Sequence, residues 1–226
     1  MRINKFLAHA TGVSRRAADD LISDGKVTVN GLPAPTGHDV ISSDKVRFQG
    51  KEYTLSQVED PSHKQTIIFN KPIGYVTSRD GQGSQTIYDM IPEQYHNLKP
   101  VGRLDKYSSG LLLLTNDGDL AQELTHPKHQ KNKIYEVKLS QPLAPLHRQM
   151  IQDHGVALDD GPSKFELERL TDGDDYSWRI TMRQGRNRQI RRTFLALGYG
   201  VSSLHRSQFG DYKLDDIKTG EFKPVS

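Results

Sequence analysis

An α+β fold in two parts is predicted from three features of the sequence. Strand-like patterns outnumber helical ones. They do not alternate with helices in the regular βαβ manner that builds a parallel sheet. A short polar stretch divides an opening segment with two helical patterns from a longer, strand-rich remainder. The remainder is expected to fold around a mixed, mostly antiparallel sheet.

Ile3, Phe6, Leu7 and Ala10 recur at the spacing of one helix face, and Thr11-Gly12 stops that helix. Ser14 reads as the N-cap of a second helix with Ala17, Ala18, Leu21 and Ile22 on its apolar face. Asp24-Gly25 ends it. KVTVNG alternates and runs into Asn30-Gly31, a strong hairpin-turn signal. A further strand is expected at about Lys45–Phe48. The polar, proline-containing stretch 57–64 reads as a linker, which places the boundary between units at 60/61.

In the second part, Thr66–Phe69 predicts a strand broken by Lys71-Pro72 and Gly74. The run Leu111–Leu114 predicts a strand buried on both faces. Tyr135, Val137 and Leu139 alternate with Glu136 and Lys138, and 164–170 and 178–182 look similar. Helices are expected at about 120–125, 146–153 and 189–197, the last ended by Gly198.

Composition narrows the chemistry. The 226 residues contain no cysteine, so thiol nucleophiles, disulfides and cysteine metal sites are excluded. No apolar run approaches the roughly 18 residues that a membrane helix needs. The opening residues do not read as a signal peptide, and a cytoplasmic, monomeric protein with no membrane partner is expected. The net charge is only +3, so the placement of the basic residues is more informative than their number. Residues 1–60 balance eight basic against eight acidic side chains, with Arg2, Lys5, Arg15, Arg16 and Lys26 in the first half. An arginine pair opening a helix suits phosphate, although solvated helix ends would look the same. Residues 126–133 are basic too. Residues 182–193 hold Arg183, Arg186, Arg188, Arg191 and Arg192 with no acid among them. Such density calls for anions, and phosphate matches the guanidinium fork. Three separated basic patches point to a long polyanion, and no Walker-type phosphate loop is present.

Asp105 lies between Gly102-Arg103 and the buried run. It suits a nucleophile or a base, or equally a turn cap with Ser108 and Ser109. Tyr135 is either a core ring or a platform for a base. The nine histidines show no metal-binding spacing, so no metal site is expected.

The segments NKPIGYVTS (70–78), VGRLDKYSSGLLLLTNDG (101–118), KIYEVKL (133–139) and GRNRQIRRTFLALG (185–198) resemble, in order, the motifs of the RsuA/RluB branch of pseudouridine synthases. Residues 2–31 resemble an S4 RNA-binding domain, a small αL-like fold. The resemblance implies an S4 domain at 1–60, a catalytic domain at 61–226, and conversion of one rRNA uridine to pseudouridine without cofactor or metal. By position, Asp105 matches the essential aspartate, as nucleophile or as base. Tyr135 matches the tyrosine that stacks on the target base. Arg191 matches the arginine that pairs with the aspartate. Ile190 would pack on the base, Arg103 would enter the space left by the flipped nucleotide, and Lys71-Pro72 would line the pocket from below. Arg186, Arg188 and Arg192 would rim it. In the S4 unit, Arg2, Lys5, Arg15, Arg16, Lys26 and Asn30 would meet RNA. The GRNRQIRR and SQTIYDMIP segments are more similar to 23S than to 16S enzymes; naked rRNA and a ribosome assembly intermediate are both open as substrate. The rival from another class is a non-catalytic S4 protein of the ribosome.

Overall fold

Ile3, Phe6 and Leu7 turn the buried face of the first helix, α1 (Ile3–Thr11), inward, and Gly12 closes it in a left-handed turn at φ 79°. Ser14 Oγ accepts from the Ala17 N–H and caps α2 (Arg15–Ser23). Asn30 and Gly31 both take positive φ, 53° and 84°. They join β1 (Val27–Val29) to β2 (Leu32–Pro33), and β3 (Val46–Phe48) and β4 (Lys51–Tyr53) complete a sheet ordered β2-β1-β3-β4. The core of this unit joins Ile3, Phe6 and Leu7 to Ile22, Val27, Val46 and Phe48.

The stretch expected to be a linker is ordered differently. Thr54 and Gln57 form a reciprocal capping box that starts α3 (Leu55–Glu59), and a 3₁₀ turn follows at Pro61–His63. Leu55 and Val58 pack on the core just described, so these residues belong to the first unit. The computed structural model describes residues 1–225 and divides the chain into Met1–Gln65 and the residues from Thr66 on.

The second unit follows from β5 (Thr66–Lys71), β6 (Lys99–Pro100), β7 (Ser109–Thr115), α4 (Gly118–Thr125) and β8 (Lys133–Leu139). Next come α5 (Pro145–Gln149), which runs on into a π-helical turn, Met150–His154, and the hairpin β9 (Val156–Leu158) with β10 (Gly161–Ser163). The chain continues through β11 (Glu166–Arg169), β12 (Ser177–Met182), α6 (Gln189–Ala196), β13 (Val201–Phe209), β14 (Tyr212–Lys213) and β15 (Phe222–Pro224). Nine of these strands form one sheet along the path β11-β12-β8-β13-β7-β5-β15, with β14 on β13 and β6 on β7. Every pairing is antiparallel except β7 with β13, which is parallel. The four leucines of β7 are fully buried, Leu112 and Leu114 in one core cluster and Leu111 and Leu113 in another.

No strand pattern marks β13 in the sequence, yet it is the strand that unites the sheet. Register shifts at Val201/Ser203 and Arg206/Gln208 break its alternation, and polar residues fill its middle. The β7–β13 crossing depends on Gly110, at φ 104°. A Cβ there would lie 2.3 Å from the Arg206 carbonyl oxygen and 2.6 Å from its nitrogen.

The loop that leads into β7 is pinned from below. Lys71 is fully buried, and its Nζ donates to the carbonyls of Pro72 (2.9 Å), Asp105 (3.2 Å) and Ser108 (2.8 Å). Three acceptors match the three protons of an ammonium. Burial pushes the Lys71 pKa down to about 8, against the pull of the Asp105 carboxylate. Thr77 Oγ1 donates to the Leu104 carbonyl at 2.8 Å, and the Gly74 N–H donates to the Lys106 carbonyl at 2.7 Å. Among the described residues no helix is long and apolar enough to cross a membrane.

Gly110→Ala is expected to destabilise the second unit by about 3 kcal/mol, seen as a lower urea midpoint, because strained φ and backbone overlap act together. For Lys71 the folded pKa of about 8 lies below the ordinary 10.5. The unfolded chain therefore holds the proton more tightly. The stability carried by this group is complete above pH 10.5 and is lost as pH falls through about 8. Urea midpoints of wild type and Lys71→Met should move apart in favour of wild type by roughly 1–2 kcal/mol between pH 7.5 and 10. A constant gap would contradict this account.

Candidate active site

Asp105 sits in the pinned loop, and its backbone shapes the carboxylate's surroundings. Oδ1 accepts from the Tyr107 N–H and Oδ2 from Ser108 Oγ, each at 2.9 Å, while the Ser108 N–H donates back to the Asp105 carbonyl. This is the turn cap read from the sequence, built with Ser108; Ser109 instead bonds His205 Nδ1 at 3.0 Å. The same carboxylate faces two cations. Arg188 Nη1 lies 3.6 Å from Oδ1 and Arg191 Nε 3.5 Å from Oδ2. Capping and an ion-paired carboxylate are thus properties of one residue.

Both cations come from the start of α6. Arg188 takes a left-handed conformation, φ 44°, at the N-cap position and is exposed. Arg191 is held by its own acceptors: Nη1 donates to the Val201 carbonyl at 3.0 Å and Nη2 to the Tyr107 carbonyl at 2.7 Å. Its Nε is buried and has no hydrogen-bond partner among the described residues, so its nearest anion is Asp105. The Asp105 side chain stays 23% exposed, open to a ligand.

A cleft of about 500 Å³ opens over this carboxylate. Asp105, Arg103, Tyr135, Arg186, Arg188 and Ile190 line it, with Leu104, Met182 and Leu204 as apolar wall. Tyr135 is 8% exposed: it packs in the main core and also faces the cleft. Ile190 comes from the buried face of α6. The space suits a flat ring held between apolar surfaces with an oriented carboxylate at hand. Among the described residues no three His, Asp or Glu side chains converge to hold a metal ion.

Lys71, Pro72 and Arg192 do not line this cleft, and Arg186, which does, is also tied elsewhere. Lys71 lies under the loop, and Pro72 is half-buried beside it. Arg186 donates to the carbonyls of Asp160, Gly161 and Pro162 and to the Asp160 carboxylate at 2.8 Å. Arg192 binds the other oxygen of Asp160 at 2.7 Å. Both guanidinium groups thus tie the β9–β10 turn to α6, and Gln189 and Thr193 extend the tie through buried Ser163. The hydrogen bond from Arg192, with both arginine charges, holds the Asp160 carboxyl below the usual range. Asp160 was not singled out in the sequence, because 26 and 32 residues separate it from its partners.

In the first unit, Arg15 and Arg16 are exposed at the start of α2, and Arg15 reaches Asn4 Oδ1 at 3.3 Å. Lys5 lies half-buried on α1. Arg2 pairs with Asp39 at 3.6 Å and Lys26 with Asp24 at 2.9 Å. Asn30 is committed inside the unit: its amide donates to Asp44 and accepts from the Lys45 N–H.

The sequence family described as RNA pseudouridylate synthase matches residues 65–196, and the S4 domain family matches residues 1–54. Among curated relatives, ribosomal large subunit pseudouridine synthase B of Xanthomonas axonopodis pv. citri is 38% identical over 94% of this chain and 40% of its own length. The enzyme of the same name from Bacillus subtilis is 35% identical over 100% of this chain and 92% of its own. Ribosomal small subunit pseudouridine synthase A of Pasteurella multocida is also 35% identical, over 100% and 96%. The chain thus spans less than half the length of the first curated relatives it matches. A crystal structure of a pseudouridylate synthase superposes with a TM-score of 0.70 at 32% identity, covering 100% of this chain and 96% of that one. With its sequence, its fold and its motif residues in agreement, the chain belongs to the RNA pseudouridylate synthase family and carries an S4 domain in front of the synthase domain.

Proposed function

We propose that the chain converts a uridine of ribosomal RNA, in 23S rRNA, to pseudouridine. The observation that carries this reading is the Asp105 carboxylate, oriented by Tyr107 N and Ser108 Oγ and set between Arg188 and Arg191 beside Tyr135 and Ile190. The reaction breaks the N1–C1′ bond, turns the uracil, joins C5 to C1′, and moves the C5 proton so that N1 gains one. Asp105 acts either by attack at C1′ or by removing the 2′ proton, and on either route Arg188 and Arg191 lie within 3.6 Å and 3.5 Å of its carboxylate. A stacked uridine must first leave its helix, at a cost of roughly a few kcal/mol, which stacking on Tyr135 and contact with Ile190 offset. Arg103, exposed at the mouth and without an ion pair among the described residues, would fill the space left behind.

The large-subunit names of the Xanthomonas and Bacillus relatives support the 23S target, whereas the Pasteurella relative keeps 16S as the second reading. The S4 unit would hold flanking RNA through Arg15 and Arg16, with the protein acting as a monomer in the cytoplasm.

Carbodiimide mapping of both rRNAs, in cells lacking the gene and complemented with variants, tests this reading. One pseudouridine stop should vanish on deletion and return with wild type. Asp105→Asn should restore nothing while still binding RNA; restoration by this variant would leave Asp105 without its role. Tyr135→Phe keeps the stacking ring and reports on the hydroxyl alone. Arg15→Ala/Arg16→Ala should weaken RNA binding and reduce the slope of log affinity against log salt by about 1–2, with turnover at saturating RNA unchanged. An unaltered slope would remove these arginines from the interface.

A further inference from the structure

A wider groove of about 1190 Å³ adjoins the cleft and shares Gly102, Arg103, Tyr135, Met182, Gly185 and Arg186 with it. Several of its cations have a carboxylate of their own. Arg186 shares Asp160 with Arg192, and Lys131 holds Glu123 at 2.7 Å. Lys133 and Arg206 have none among the described residues. Lys133 Nζ donates only to main-chain carbonyls, of Arg183 at 3.2 Å and Lys131 at 3.5 Å. Arg206 is 2% exposed; its Nε donates to the Leu111 carbonyl at 2.8 Å, and its Nη2 is buried with no hydrogen-bond partner among the described residues.

The two charges share one aromatic ring. The β13 bulge sets Arg206 opposite Tyr135 and Phe209 opposite Lys133. Lys133 Nζ and the Arg206 guanidinium each lie 5.0 Å from the Phe209 ring centre, and Arg206 is 6.0 Å from that of Tyr135. Burial, with the Arg206 charge, pushes the Lys133 pKa down to about 8. Two like charges against one ring, Arg206 buried and Lys133 half-buried, with an unused donor on Arg206, form a site that lacks its anion. Glu166, the groove's other acid, sits on β11, and among the described residues no ion pair joins it to either cation. The groove is too large for one small anion and shares Tyr135, on which the target base would rest, with the cleft.

We propose that Lys133 and Arg206, flanking Phe209, bind one phosphodiester of the RNA strand next to the nucleotide whose base rests on Tyr135. This inference rests on the pseudouridine reading, and it adds a contact that orients the strand during flipping.

Unmodified 23S and 16S transcripts labelled with [5-³H]uridine test it by two readouts: filter binding across a KCl series, and tritium release. The variants are Lys133→Gln, Lys133→Arg, and Lys138→Gln as an exposed control on the same strand. Lys133→Gln should weaken binding about tenfold and lower the salt slope by about 0.7–0.9, the value of one phosphate contact. Lys133→Arg should restore both, and Lys138→Gln should change neither. A purely structural lysine would lower the melting temperature and leave the salt slope alone. Wild-type affinity and slope in Lys133→Gln overturn the site. Tritium release answers separately for the reaction: its absence in wild type rejects the proposed function, while the binding series still decides the phosphate site.

Discussion

The parallel contact between β7 and β13 is the constraint on which the synthase unit depends. It joins two halves of the sheet that contribute different parts of the site. The β7 side brings the loop with Asp105, and the β8–β13 side brings Tyr135, α6 and the arginines. Neither half alone brings the Asp105 carboxylate against Arg188 and Arg191. Gly110 lets the backbones approach closely enough for this seam, and Arg206 seals it by donating to the Leu111 carbonyl. The Arg191 bonds to Tyr107 and Val201 then hold α6 to the loop on one side and to the start of β13 on the other.

Charge is distributed along the same lines. Five arginines in one short segment would repel one another if they were left together. The fold separates them. Arg186 and Arg192 go to Asp160, Arg188 and Arg191 to Asp105, and Arg183 to Asn132. The structure thus meets the demand for anions partly with its own carboxylates, so the segment serves two purposes. Half of it is a tie to the β9–β10 hairpin, and half faces the cleft. Lys133 and Arg206, which have no carboxylate among the described residues, lie in the adjoining groove.

Much of this was legible in the sequence, for identifiable reasons. α1, α2, β8 and α6 have regular periods, β7 is an unbroken apolar run, and Asn30-Gly31 is a turn with few alternatives. Asp105 could be found because Ser108 and the leucine run lie beside it. β13 could not, because two bulges reset the alternation that marks a strand. The linker reading failed at Thr54 and Gln57, whose mutual capping turns a polar segment into a helix. The partnership of Asp160 with two arginines was hidden by distance along the chain, since like-charged neighbours show nothing of the acid that will fold onto them.

The closing role of β13 also bears on how the protein comes into being. Leu111 and Arg206 are 95 residues apart in the chain, and Tyr107 and Arg191 are 84 apart. Contacts of such separation form slowly, because the loop entropy is lost before the contact is gained. The first unit is built from α1, α2 and short hairpins, whose partners lie close together in sequence. During synthesis it can therefore fold while the ribosome is still extending the second unit. The carboxylate and its cations meet only after residues 201–209 have emerged and paired. A nascent chain that has not yet paired β13 can thus have a folded first unit while Arg191 still lacks its Val201 acceptor beside Asp105.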